Sequence, residues 1–571
     1  MATVRETTKA RKIHVDKFKV RSKLGCGTYR TKRIKCDQEW PVCLKCIAAC
    51  RVCDGYGVWG GGGNPYGPNG YKSKMMQSRF PTRSAVYSIP NHAWNEDRMT
   101  FEMLKRKMGI KLSGIFDSDF WDMLVLQASF DEPAILHAVA AIGSAYRSDR
   151  LARDEYDAKT LHGHMDQEGT RALLEYNRAI RSLKAHLIHT DLCSLRVTLI
   201  TCMLFICFEY LRRNLRTGDT HLLNGLRLVR DIQARRYPNG ECMLVKGNPP
   251  DSVDDHLIEA FARLNLQCAL FGLGSRHTYV PPRESLFSFK TPTYFESVQQ
   301  ARRQLDGILG GTYHLLLQRC NSQRSDGDKL NLEAFVHDQQ QLESGLASWL
   351  QTYHQTLAET QHGFTDTLAF MVLRMYHTMA SIITSVCHPL GSESDFDLHT
   401  ADFVSLVKQA IELAEGAKVH MSHRPSPWSA KKSFTVDMGY IPVLYYLALK
   451  CRNPRIRRHA INMMCASPHR EGVWDGELSA AIARRVVEIE EADFYKGWKL
   501  DEDFNAWEMP RKEEWEAFPV LPEAHRIHQV NVILPQEGVA NSTLQCIRRR
   551  WVDSGWQVES RNHSIPATSR G

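Results

Sequence analysis

Long apolar runs are missing from this 571-residue chain. The best candidate, Leu199 to Phe208, covers ten residues between Arg196 and Glu209. That is half of what a membrane-spanning helix needs, so it reads as a buried helix and no membrane partner is expected. The N-terminus is charged from Arg5 onward and lacks an apolar segment, so a secretory signal is not expected. Catalytic signatures are missing as well. There is no Gly-x-Ser-x-Gly elbow and no dinucleotide-binding fingerprint, and no Gly-Lys-Ser/Thr follows the run Gly60-Gly61-Gly62-Gly63. His186 with His189, and His420 with His423, have three-residue separations, but no carboxylate constellation accompanies them; among 24 histidines such pairs arise by chance. The chain is therefore not expected to be an enzyme. Strand alternation is nearly absent, with Ile527 to Leu534 the best candidate.

What is present is an ordinary globular balance, 43% hydrophobic and 24% charged, on a chain too long for one hydrophobic core. The net charge of +9 is unevenly spread. Residues 1–53 hold fourteen Lys and Arg against Glu6, Asp16, Asp37 and Glu39, a surplus of ten, so the other 518 residues come to −1. A basic head on a nearly neutral body points to a polyanion partner for the head alone. Six of the sixteen cysteines lie in the same stretch, at positions 26, 36, 43, 46, 50 and 53. The other ten are dispersed and read as small buried hydrophobes. In a reducing compartment the dense cluster reads as metal ligands rather than disulfides.

Cys43 and Cys46 have the two-residue gap with which a tight turn aims two thiolates at one ion. Between Tyr29 and Cys36 stand Arg30, Lys32, Arg33 and Lys35, separated only by Thr31 and Ile34. On a short helix they would fan out within reach of a groove and a phosphate backbone. With the Cys36-Asp37 pair, Pro41 two residues before Cys43, and Cys53-Asp54-Gly55-Tyr56, the segment resembles the fungal binuclear zinc cluster. That resemblance implies two zinc ions held by Cys26, Cys36, Cys43, Cys46 and Cys53, with Cys26 and Cys43 as bridging thiolates. The family has a sixth cysteine where this chain has Tyr29, which leaves the second zinc site one thiolate short; Cys50 is surplus to the pattern. A phenol with a pKa near 10 is a poor substitute for a thiolate. The resemblance also places Lys32 and Arg33 where the family reads a CGG-like triplet in the major groove, and Arg30, Lys35 and Lys45 against the backbone.

Residues 57–100, rich in Gly, Pro, Asn and Ser, read as a flexible linker without sustained heptads, so homodimerisation is left open. From about Phe101 the period is helical. The stripes are Phe101, Leu104, Met108; Ile135, Val139, Ile142, Tyr146; Ile180, Leu183, Leu187; Leu222, Leu226, Val229; and Leu478, Ile482, Ile489. Asp131 and Pro133 could begin the second of these helices. The fold class expected is all-α: zinc-cluster module 1–56, linker 57–100, large helical domain 101–525 and C-terminal tail 526–571. Several segments resemble the helical regulatory domain that accompanies the zinc cluster in fungal transcription factors. They include Leu204 to Glu209 leading to His221-Leu222, Cys451-Arg452-Asn453-Pro454, and Arg470-Glu471-Gly472-Val473-Trp474-Asp475. The resemblance implies a nuclear transcription regulator of RNA polymerase II promoters, partnered by double-stranded DNA and by coactivators or a small-molecule effector of the helical domain. The alternative is a regulatory interaction or sensor protein whose cluster is impaired by Tyr29 and which acts through the helical domain. Between Glu488 and Phe518 acidic residues alternate with aromatics; such a mixture can act as an activation segment that docks on coactivators, but the aromatics are rather expected to close the core while the acids face water.

Overall fold

The computed structural model describes residues 112–565. Positions 113, 117, 119 and 499 fall outside that description, as do segments 155–161, 189–191, 237–252, 274–290, 323–330, 360–362, 389–390, 422–433, 467–468, 501–503, 535–541 and 553–554. The zinc-cluster region, the linker and the Phe101 stripe therefore lie outside the described residues.

Helix periodicity translates into helices. A π-helical turn at Phe120–Leu124 runs into α1 (Val125–Asp131), and α2 (Pro133–Asp154) starts at the expected proline. There Ile135, Val139 and Ile142 are buried, and proline at the first helical position loses no needed N–H. Then come α3 (His162–Leu187), α4 (Leu192–Leu211), α5 (Leu215–Arg236) and α6 (Val253–Phe271). On α3 the buried face is Ala172, Glu175, Ala179 and Leu183, so Leu187, placed in the stripe by sequence, is 61% exposed. Helix α4 is apolar all round, long and apolar enough for a membrane by composition, yet it is mostly buried in this fold. It is the core helix that Leu199–Phe208 predicted, packed on α2, α3, α5 and α6.

A second helical group follows: α7 (Val298–Ser322), α8 (Leu332–Glu359) and α9 (Phe364–Val386). Phe370, Val372, Leu373, Met379 and Ile383 are among the buried residues of α9, which packs on both α7 and α8. A 3-10 turn, Glu393–His399, is capped by Ser392 in a capping box with Asp395 and leads into α10 (Thr400–Met421). The C-terminal third holds α11 (Ile441–Lys450), α12 (Pro454–Ala466), α13 (Gly476–Glu491) and the short α14 (Lys512–Glu516). Asp475 caps α13 by accepting from the N–H groups of Glu477 and Leu478 at 3.1 and 3.2 Å.

The described residues are mostly helical, with two small sheets added. Strand β1 (Phe434–Thr435) pairs in parallel with β2 (Arg470–Glu471), which turns back antiparallel onto β3 (Trp474–Asp475). The segment set apart in sequence as a tail forms an antiparallel sheet, β4 (Gln529–Ile533), β5 (Ser542–Val552) and β6 (Gly555–Ile565), with Val530 opposite Cys546 and Ser542 opposite Ile565. Its first strand falls within Ile527–Leu534, and β6 packs on α13. The aromatics between Glu488 and Phe518 mostly pack. Tyr495 meets Phe494 and Phe518 edge-on, and Phe504 stacks on His459, while Trp498 stays 45% exposed.

Candidate functional site

Every metal and DNA-contact residue singled out from sequence lies outside the described residues: Cys26, Cys36, Cys43, Cys46, Cys53, Arg30, Lys32, Arg33, Lys35 and Lys45. Among the described residues no group of three His, Cys, Asp or Glu could hold a metal ion. His186 instead stands 3.3 Å from the Glu132 carboxylate. Of the dispersed cysteines, Cys202, Cys207, Cys268, Cys387, Cys451 and Cys546 are buried, whereas Cys193 and Cys465 are exposed.

Two motifs from the sequence organise the C-terminal third. In the first, the fully buried Glu471 carboxyl group accepts from the N–H groups of Gly439, Tyr440 and Ile441 at 2.8, 3.1 and 3.2 Å, where α11 begins. Those N–H groups are the unsatisfied donors of a helix N-terminus and favour the anion, but burial outweighs them and pushes Glu471 up to about 8. Gly439 must be glycine, since a Cβ there would collide with that carboxylate. Gly472 has a left-handed φ of +61°, and a Cβ would strike the Gln267 side chain. Arg470 reaches back to the Leu211 carbonyl and, at 2.7 Å, to Asp149. Trp474 meets Phe271 and Tyr445 edge-on at 5.0 and 5.3 Å.

The second motif anchors a buried ionic network. Arg452 donates to Glu393 (2.9 Å), to Glu490 (3.0 Å) and to the Ile527 carbonyl (3.0 Å). Arg457 donates to the other Glu490 oxygen at 2.6 Å and to the Ala448 carbonyl. Lys450 donates to Glu393 and to the His528 carbonyl, both at 2.9 Å. Arg526 grips Asp397 with two bonds, of 3.0 and 2.7 Å. Burial alone would raise Glu393, but Lys450 and Arg452 override it and hold the carboxyl near 2. Burial lowers Lys450, and Glu393 offsets part of that.

Beside this network lies a cavity of about 460 Å³, within the range of small-molecule sites. Its walls come from the end of α6, from α7, α9 and α11, from the Glu393–His399 turn, and from β4 and β5. Phe271, Leu316, Leu317, Met379, Ile383 and Ile547 make the apolar part. Among the described residues that line it are three cations, Arg319, Lys450 and Arg549, and one carboxylate, Glu393. Arg319 donates to the carbonyls of Val386 and Gly391, which places it at the Glu393 end. Tyr445 and Tyr446 are among the lining residues, and their hydroxyls are buried with no hydrogen-bond partner among the described residues. Burial raises both phenols, and the Glu393 charge raises Tyr446 further. Sequence reasoning missed this site. Its residues run from Ala269 to Arg549, and only the pair Tyr445-Tyr446, just before the Cys451 motif, offers a local hint.

Strand β4 closes one side through Gly272. The Val532 N–H donates to the Gly272 carbonyl at 2.8 Å, and Gly272 holds a φ of +91°. A Cβ on Gly272 would come within 2.7 Å of the Val530 carbonyl oxygen.

Comparison with known proteins places these observations. Residues 111–430 match the family described as the fungal specific transcription factor domain. The chain is 22% identical over 556 aligned positions to an aspercryptin biosynthesis cluster-specific transcription regulator of Emericella nidulans, covering 82% of this chain and 88% of that protein. It is 25% identical over 386 positions to a transcription regulator of Purpureocillium lilacinum, covering 62% of this chain and 84% of that one. Over 38 residues, 7% of this chain and 8% of the other, it is 53% identical to a transcriptional regulatory protein of Schizosaccharomyces pombe. No solved structure matches the chain. The family match ends at 430, whereas the fold continues through α11–α14 and the C-terminal sheet, which supply much of the cavity wall.

Proposed function

Because this chain belongs to the family of the fungal-specific transcription factor domain, we propose that it is a nuclear, zinc-dependent, sequence-specific DNA-binding regulator of RNA polymerase II promoters. The observation that carries the reading is the order of parts on one chain: a basic, cysteine-dense segment at 26–53, then the family domain at 111–430. Cys26, Cys36, Cys43, Cys46 and Cys53 hold zinc; Lys32 and Arg33 read a CGG-like triplet, and Arg30, Lys35 and Lys45 contact phosphates. Structural zinc supplies the folding energy of so small a module, so DNA binding is lost with the metal. The helical body governs the activity of the head. A relative named for one biosynthetic cluster supports control of a defined gene set.

Tyr29 favours a second reading, in which the cluster is impaired and the helical body acts through protein partners. Native mass spectrometry of the full chain, with CGG-containing and scrambled duplexes titrated in, separates the two. Two zinc ions with a preference for the CGG duplex are expected. One zinc or none, with equal affinity for both duplexes, would establish the second reading instead.

A further inference from the structure

We propose that the cavity between α7, α9, α11 and the C-terminal sheet is a binding site for a small organic acid with an apolar body, its carboxylate held at the Arg319–Lys450–Tyr446 end. Three features of the cavity lead there. The size suits a small molecule rather than solvent alone. The apolar wall, from Phe271 on α6 to Ile547 on β5, offers the body of such a ligand a surface to leave water against. The polar groups gather at one end: Arg319 is held there by carbonyl oxygens, Lys450 shares Glu393 with Arg452, and the buried Tyr446 hydroxyl has no protein partner.

The charge decides the chemistry of the ligand. Among the described lining residues the cations Arg319, Lys450 and Arg549 outnumber the carboxylate Glu393, which is already engaged by Lys450 and Arg452. A cationic ligand would meet that surplus and find Glu393 occupied. A carboxylate suits these cations, and a small side-chain shift would let the unpartnered Tyr446 hydroxyl donate to it. The buried Tyr445 hydroxyl, also without a partner, is a further donor for an oxygen on the ligand body.

That such a ligand alters transcription rests on the reading above; that it binds does not, so the two fail separately. Decanoic acid and 1-decanol, equal in chain length, are titrated calorimetrically into the full chain without DNA. One decanoate per chain is expected, bound at least tenfold tighter than the alcohol. The Cys320 thiol lines the cavity, and bound decanoate should slow its alkylation, read by peptide mass spectrometry. Tyr446→Phe should weaken decanoate about tenfold and leave the melting temperature unchanged, since the hydroxyl it removes has no partner in the protein. Equal affinity for acid and alcohol would overturn the anionic assignment. Binding of neither, or binding that leaves Cys320 unprotected, would overturn the site. A melting temperature lowered by Tyr446→Phe with decanoate affinity intact would overturn the placement of the carboxylate.

Discussion

At the scale of single residues, buried charges carry the sharpest expectations. Glu490 is fully buried and serves Arg452, Arg457 and the Ile527 N–H together, and burial, which would raise it, is outweighed by the two guanidinium groups. Glu490→Ala leaves two buried guanidinium groups short of a counter-charge and should cost about 3–5 kcal/mol in denaturant unfolding. The exposed pair Arg485–Glu488 is the control, and Arg485→Ala should change stability by less than about 1 kcal/mol. In the head, Tyr29→Cys restores the sixth thiolate of the family pattern and should raise both the zinc count and duplex affinity. If neither rises while the wild type already binds tightly, another group completes that site.

At the scale of elements, the helices were legible and the sheet contacts were not. Ile135, Val139 and Ile142 repeat at helical spacing because one face of α2 is buried, and that cause is local. The stripe on α3 misled at Leu187 because the buried face there is built from Ala172, Ala179 and an ion-paired Glu175, which a hydrophobicity pattern does not count. Strand β4 shows weakly in sequence because only Val532 among its residues is buried. The cavity could not be read at all, since its wall joins residues far apart along the chain whose meeting depends on Gly272 and on the network at Arg452. Gly272→Ala sets a Cβ against the Val530 carbonyl in a left-handed backbone, so β4 should lose its seat on α6. Limited proteolysis should then cut around residues 527–542 faster than in the wild type while the helical circular dichroism persists. Unchanged cutting would show that α13 and the bonds from Lys450 and Arg452 hold the sheet without Gly272.

At the scale of the whole molecule, the shifted groups set a pH profile. Burial lowers His256, His377 and His459 to about 4, so these histidines favour the fold above their ordinary pKa and withdraw that support as pH falls from about 6.5 to 4. Glu259, Glu393 and Glu523, each held near 2 against the opposing effect of burial, add losses below about 4.5. Glu471 works the other way. Raised to about 8, it supports the fold while protonated and loses that support between its ordinary pKa and about 8. With three histidines against one carboxyl, melting temperature should rise to a maximum near about pH 6.5 and then decline, and Glu471→Gln should flatten the decline. A profile still rising at pH 8 would contradict this assignment. The Arg470 link to Leu211 and Asp149, and the cavity wall supplied by Ile547 and Arg549, also bear on the order of synthesis. The cavity wall is complete only once synthesis has passed Arg549, long after residues 26–53 have been made. A product truncated before β5 would keep the basic, cysteine-dense segment at 26–53 and lose the wall at Ile547 and Arg549, so it should show no saturable decanoate binding.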